Sequence, residues 1–479
     1  MASLRGLSPF QLRPAGVAPA TWRAAPASAI AIPLGLAALG LGVGILAGVD
    51  PKLAIGAAVG LSFAGLVIAN ITAGVCLFVV ASFLEVLGNV GGSVGVTKAF
   101  GFLLVVSWFA AVSTRNEAEN DFITAHPTMT YVLAIFVAWS GLSLLWAYSG
   151  SAVINASFRY FQNLLLFLIV FTAIRRREHA VWMTSAFVGG ATIAAIIAII
   201  YHPSASEYDV ARGSGTVGDP NELAAVLVAG VILAGVLVVL LRRSPLLRLA
   251  AAGAALLCAL GLFITFSRGG LVALACAMVA SVFVAGRWRP VIVTTMTCIA
   301  LLGVAYFGLF APQSSRDRVT KLDGGTGRTD IWRIGGRMVS AHPVRGVGSG
   351  NFALVSGRYL LRKPGVVRHD YFIREPKVAH NMYLHVLAEL GIVGLSLFAA
   401  ILAFAATCAF KAARRFAGAG DRDMELLTRG LILALIGLLA ADFFLSGQFS
   451  KQLWLLLGLA PALLAIAKTR ARRQALGSF

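Results

Sequence analysis

The chain has 479 residues, 58% of them hydrophobic and 13% charged, with a mean hydropathy of +0.85. A composition this apolar excludes a water-soluble enzyme, a filament and a disordered chain, and places the sequence among polytopic membrane proteins. The 40 Lys and Arg against 20 Asp and Glu leave a net charge of +20, which has two ordinary sources: cytoplasmic loops that follow the positive-inside bias, and an anionic ligand.

Residues 1–28 carry Arg5, Arg13 and Arg23 and no acid. Organelle transit peptides share that composition, but the apolar run that follows is too long for a signal-peptide core, so the stretch reads as a cytoplasmic tail. A spanning helix needs about 20 mostly apolar residues. Such segments are expected near 29–48, 53–69, 71–87, 97–114, 128–147, 155–174, 180–200, 222–241, 247–266, 270–286, 290–310, 382–409, 430–446 and 452–467. The segments 53–69 and 71–87, parted only by Asn70, read either as a re-entrant pair or as one bent unit. The expected fold is an all-α transmembrane bundle of about 12–14 spans. The chain divides into the tail 1–28, a membrane region 29–201, a second membrane region 202–310, a large loop 311–379, a third membrane region 380–467 and a basic tail 468–479. Cys76, Cys258, Cys276, Cys298 and Cys408 all fall in apolar segments without CxxC or Cys/His spacing, so neither a disulfide frame nor a metal site follows from them.

Arg175 to Arg177, Arg242 and Arg243 with Arg248, Arg287 with Arg289, Lys411 to Arg429, and Lys468 to Arg473 form short basic loops that should share one side. Alternating spans satisfy this and put both termini in the cytoplasm. Residues 202–221, Ser267 with Arg268, 311–379 and 447–451 are then external. The loop 311–379 holds 13 Lys and Arg against 5 Asp and Glu. Loops longer than about 60 residues translocate regardless of charge, and a positive loop beside a membrane calls for bound anions, whether headgroups or a phosphorylated substrate.

Four external clusters carry the chemistry. In the first, Arg212 precedes a glycine-rich turn and Asp219-Pro220-Asn221-Glu222, which read as a tight turn and a helix N-terminus; an N-cap is the commoner role for Asp219 and Asn221. The second is Thr265 to Gly270, where Arg268 stands at the hydrocarbon edge, serving equally well as an interfacial anchor or as a ligand-binding cation. The third, Gly327 to Val339, places Ile331, Ile334, Met338 and Val339 at helical spacing, with Arg333 and Arg337 on another face. This predicts a short helix on the outer interface starting near Thr329 or Asp330. The fourth runs from His380 and Asn381 through His385 and Glu389 to Gly394. His380 suits an outward-facing base, Asn381 an N-cap, and His385 and Glu389 an i,i+4 pair.

Taken together, Gly-x-x-x-Asp-Pro-Asn-x-x-Ala, Ser-Arg-Gly-Gly, Gly-Arg-Thr-x-Ile-Trp and Ala-His-Asn-x-x-Leu-x-x-x-x-Glu-Leu-Gly-Ile-x-Gly resemble the O-antigen ligase and polymerase family over roughly Arg212 to Gly394. The resemblance implies an integral protein of the bacterial inner membrane that acts at the periplasmic face. It would move a glycan from a polyprenyl-diphosphate carrier to an acceptor hydroxyl, with no nucleotide sugar, metal or other cofactor. It implies that Arg268 and Arg328 match the family's essential arginines and His380 its loop-end histidine. Arg212, Arg333 and Arg337 are then further diphosphate-binding candidates, with Arg333 and Arg337 competing with Arg328 for the same space. Asp219, Asn221, Asp330, Asn381 and Glu389 are candidate helpers.

Physical chemistry favours the same set. Cleaving a sugar–diphosphate bond builds negative charge that planar guanidinium groups stabilise, and the acceptor hydroxyl needs a base, with inversion at the anomeric carbon as the outcome of direct displacement. The partners expected are the lipid-linked oligosaccharide, a glycan or lipid acceptor, membrane lipids and other polysaccharide-assembly proteins, and not nucleic acid. The polymerase reading leads, because the Asp-Pro-Asn and Gly-Arg-Thr-x-Ile-Trp forms are similar to those of exopolysaccharide polymerases. Ligation to lipid A core or protein is the alternative. A lipid-linked-glycan flippase is the alternative from another class, though transporters place ionisable groups near the midplane, where this sequence offers mainly Asp442.

Overall fold

The computed structural model describes residues 40–51, isolated positions between 54 and 67, 70–84, 96–114, 122–201, 212–310, Gln313, Arg316, 328–360 and 377–476. The expected tail 1–28, most of the first span, and loop residues 311–327 and 361–376 lie largely outside this set. Contacts divide the chain into two units, Met1–Ser62 and Phe63–Phe479. In the first, Gly40–Val49 form helix α1.

The described residues of the second unit are predominantly helical. Its helices are α2 (Ile71–Ser82), α3 (Val96–Thr114), α4 (Pro127–Leu142), α5 (Gly150–Ala173), α6 (Arg177–Ile200), α7 (Pro220–Leu240), α8 (Pro245–Ile264), α9 (Arg268–Val284) and α10 (Arg289–Ala305). They are followed by α11 (Arg328–Ala341), α12 (Phe352–Leu360), α13 (Met382–Gly418), α14 (Arg422–Ala441) and α15 (Lys451–Leu476). Among the described residues nine helices are long and apolar enough to cross a membrane, and four shorter apolar helices accompany them. The expected segments from residue 71 onward recur with shifted ends, and the chain is a multi-pass helical bundle.

Local chemistry sets where the helices begin. Pro220 and Pro245 occupy first-turn positions, where a missing N–H costs nothing. The Asp219 carboxylate accepts the Asn221 and Glu222 N–H groups at 2.7 and 3.0 Å, and the Asn381 side chain accepts the Leu384 N–H at 2.9 Å, as their N-cap spacing suggests. α7 is the central post, packed by α6, α8, α9 and α14, with small residues admitting close approach: a Cβ on Gly437 would lie 2.7 Å from Val228.

α13 has 37 residues, about 55 Å of helix against a hydrocarbon core of about 30 Å, and it is broken. Gly391 adopts φ 66° and ψ −169°, a conformation open to glycine, and a Cβ there would strike the Val344 carbonyl. The break frees carbonyls that other elements take up. Val347 and Gly348 donate N–H bonds to the Ala388 and Glu389 carbonyls, each at 2.9 Å, and Ile392 N–H reaches the Pro343 carbonyl at 2.9 Å. The Trp139 indole donates to the Leu390 carbonyl at 2.9 Å. The loop 343–352 is thus stitched to a transmembrane helix, which satisfies backbone groups that hydrocarbon would leave bare.

Two expectations change. The apolar face of α11, Ile331, Ile334 and Met338, is buried against Phe352, Val355, Tyr359 and Ala388, so the helix docks on protein instead of lying on the outer interface. Asp442 does not sit deep in a span: α14 ends at Ala441, and Asp442 caps it, its carbonyl accepting the Met382 N–H at 2.9 Å.

Candidate functional site

The four clusters read from the sequence meet at one end of the bundle, and the segment 442–446 joins them. Ser446 Oγ accepts the His380 N–H at 3.1 Å and bonds His385 Nδ1 at 2.9 Å. Phe444 packs where a Cβ on Gly269 would touch it at 3.2 Å, beside Arg268, and the Arg328 guanidinium lies 6.0 Å from its ring. The Trp332 ring meets Phe443 edge-on at 5.6 Å, while its indole N–H bonds the Ala379 carbonyl at 3.1 Å, next to His380. The first cluster joins through Asn221, whose Oδ1 accepts from Arg212 at 2.8 Å and from the Ser267 hydroxyl at 2.9 Å. Arg212 Nε also bonds the Thr265 carbonyl at 2.9 Å. Arg212, Arg268, Arg328 and His380 therefore belong to one neighbourhood, although they are spread over about 170 residues of sequence.

His380 is held in an uncommon backbone conformation, φ 46°, which a non-glycine residue adopts only where its surroundings demand it. Its imidazole is pushed below the ordinary range, first by burial and then by Arg328, with His385 and Lys377 acting in the same direction and Asp219 opposing them. Both causes disfavour the charged ring, so His380 stays neutral and able to accept a proton near neutral pH. Asp442 moves the other way. Burial and the neighbouring Glu222 push its carboxyl up to about 8, leaving it mostly protonated at pH 7.

Behind His380 runs a buried relay. His385 Nε2 lies 3.1 Å from Glu389 Oε1, and the Glu389 carboxylate also accepts the Gly350 N–H at 2.8 Å and the Phe352 N–H at 2.9 Å. Glu389 is 1% exposed. With the Ser446 hydroxyl donating to Nδ1, the His385 proton resides on Nε2 and points at Glu389, so each bond in the series has a donor and an acceptor. The i,i+4 pair expected from the sequence exists, and Glu389 does more than pair: it clamps the glycine-rich loop to α13.

The other arginine candidates, Arg333 and Arg337, make local contacts. Arg333 pairs with Asp330 at 3.0 Å. Arg337 donates to the Tyr359 and Leu360 carbonyls at 2.9 and 3.2 Å, capping the end of α12. Sequence reasoning missed Ser446 and read Asp442 as deep in a span, away from this cluster. The available signal was a run of polar residues, Asp442, Ser446 and Gln448, inside an otherwise apolar stretch.

Residues 253–399 match the family Wzy_C, described as O-Antigen ligase, which supports the resemblance read from the motifs. The match takes in Arg268, Arg328, His380 and Glu389, while Arg212, Asn221 and Asp442 lie outside it. No curated protein matches the chain.

Proposed function

We propose that this chain, a multi-pass membrane protein with an O-antigen ligase-type segment at residues 253–399, is a glycosyltransferase that moves a glycan from a polyprenyl-diphosphate carrier to an acceptor hydroxyl. The acceptor oxygen attacks the anomeric carbon, the carbon–oxygen bond to the diphosphate breaks with its electron pair staying on the phosphate, and the acceptor proton passes to the His380 imidazole. Configuration at the anomeric carbon inverts. Arg268 and Arg328 stabilise the departing diphosphate, and each such preorganised donor is worth about 2.7–4 kcal/mol. Arg212 holds Asn221 and the Thr265 corner, keeping the start of α9 and Arg268 in register.

The observation that carries this reading is the junction at 442–446, which gathers His380, Arg268 and Arg328 although they stand on different elements. A neutral base beside guanidinium groups is the pairing that diphosphate displacement requires. The reaction is placed at the periplasmic face of a bacterial inner membrane, with both termini cytoplasmic. The acceptor is taken to be a second lipid-linked repeat unit, making the product a polysaccharide.

The test is purified protein in proteoliposomes with a polyprenyl-diphosphate oligosaccharide and chelator. Growth of long chains from single units supports polymerisation. Transfer only when lipid A core is added reassigns the acceptor, and the absence of any transfer under both conditions removes the glycosyltransferase reading.

A further inference from the structure

Among the nine long apolar helices described, α5 has the lowest mean hydropathy, 1.4 against 1.5–3.1 for the others. Ser151, Asn155, Arg159 and Gln162 lower it, and all four are exposed. At about 100° per residue they fall within an arc of about 80° and form one row running roughly 16 Å along the helix, about half the thickness of a hydrocarbon core. Beside this row stands an apolar one, Ile154, Phe158 and Phe161, also exposed. No acid occurs between Gly150 and Ala173.

Arg159 is nine residues from one end of α5 and fourteen from the other, so it is not one of the terminal arginines that snorkel to the interface. A cation at the centre of a span costs about 2.5–3.5 kcal/mol on insertion scales, and such residues mark substrate or ion pathways. The guanidinium lies 4.0 Å over the Phe449 ring, three residues beyond Ser446, which holds His380. Tyr160 packs against the same ring at 4.5 Å. Its hydroxyl and the Gln448 side-chain oxygen are both buried without a hydrogen-bond partner, so the turn behind Arg159 keeps unused polar capacity. Further out, the Ala152 carbonyl and Ala156 Cβ lie 2.6 and 3.2 Å from where a Cβ on Gly350 would stand, so α5 also walls the loop that Glu389 clamps.

We propose that this face of α5 is a lateral docking track for the diphosphate of the lipid-linked donor, with the isoprenoid chain lying along Ile154, Phe158 and Phe161. The guanidinium, two amides and a hydroxyl supply donors matched to phosphate oxygens, and the neighbouring apolar row suits a hydrocarbon chain. The assignment rests on the glycosyltransferase reading for the identity of the lipid, but its test is a binding measurement that needs no turnover.

Full-length protein carrying photoreactive benzoylphenylalanine at position 155 is reconstituted in neutral-lipid vesicles and cross-linked to radiolabelled polyprenyl diphosphate. Labelling is expected to be displaced by unlabelled polyprenyl diphosphate and not by equal phosphatidylglycerol. Arg159→Ala should raise the half-saturating lipid concentration about tenfold, which corresponds to about 1.4 kcal/mol, and Arg159→Lys by less. Gln162→Leu, which keeps the charge, gives a smaller shift and serves if the alanine variant does not fold. Equal displacement by phosphatidylglycerol would reassign the face to bulk lipid and overturn the proposal, as would half-saturation unmoved in the Arg159 and Gln162 variants. Wild-type protein that binds the lipid but transfers no sugar would sink the enzymatic reading and leave the docking face standing.

Discussion

The two ends of the bundle handle positive charge differently. At the end away from His380, arginines meet carboxylates: Arg177 and Arg242 share Asp423 at 3.6 and 2.8 Å, Arg287 and Arg429 flank Glu425 at 3.1 and 2.9 Å, and Arg470 pairs with Asp421. These are the basic loops that the sequence grouped on one side, and the structure does bring them together. At the His380 end, Arg212 is held by a carbonyl and an amide, Arg337 by two carbonyls, and Arg328 lies over an aromatic ring. Arg333, paired with Asp330, resembles the other end. Carboxylates at the far end fasten helices to one another, whereas under the proposed function Arg268 and Arg328 serve the departing diphosphate.

The contrast can be broken by substitution. Arg268→Ala and Arg328→Ala should each lower the transfer rate by about 10²–10³-fold, measured as initial rates in proteoliposomes; a loss below tenfold in both would dissolve the distinction between the ends. His380→Ala should cost about 10²–10⁴-fold. With wild type, the rate should fall only as His380 protonates, and because its pKa is depressed, the acidic limb should lie below pH 6.5, the ordinary imidazole value. An acidic limb above that value would contradict the assignment.

Glu389→Ala strands the Gly350 and Phe352 N–H groups and His385 in a buried site, where each unsatisfied group costs about 1–3 kcal/mol. The thermal midpoint in detergent should drop clearly, with activity falling alongside it. The smallest effect belongs to the opposite end. The Arg242 and Asp423 side chains are 49% and 26% exposed, and such pairs are worth about 0.2–1 kcal/mol, so Arg242→Ala should leave the transfer rate within about twofold.

The membrane helices were legible because hydrocarbon imposes length and apolarity on them directly. Helix starts at Pro220 and Met382 were legible for a local reason, namely the capping side chains of Asp219 and Asn381. The docking of α11 was not. Its apolar stripe shows that a surface is covered but not by what, and lipid and protein satisfy the pattern equally. Ser446 was hidden, and Asp442 was read as deep in a span, because a hydropathy window averages them with Leu438, Leu439, Phe443 and Phe444, while their placement depends on α14 stopping at Ala441. Glu389 was visible as the partner of His385 and as a candidate helper, but not as the clamp of the glycine-rich loop. Its bonds to Gly350 and Phe352 join residues 37 to 39 positions apart, beyond the reach of any helical spacing rule.

The interruption at Gly391 has a mechanical consequence. Below it α13 is a shaft lodged among other helices in the lipid; above it, the two turns from Met382 to Leu390 are tied sideways to residues 343–348. Because Ile392 N–H also reaches the Pro343 carbonyl, the same loop grips α13 on both sides of the break, and the kink is clasped in place with His385 on its upper arm.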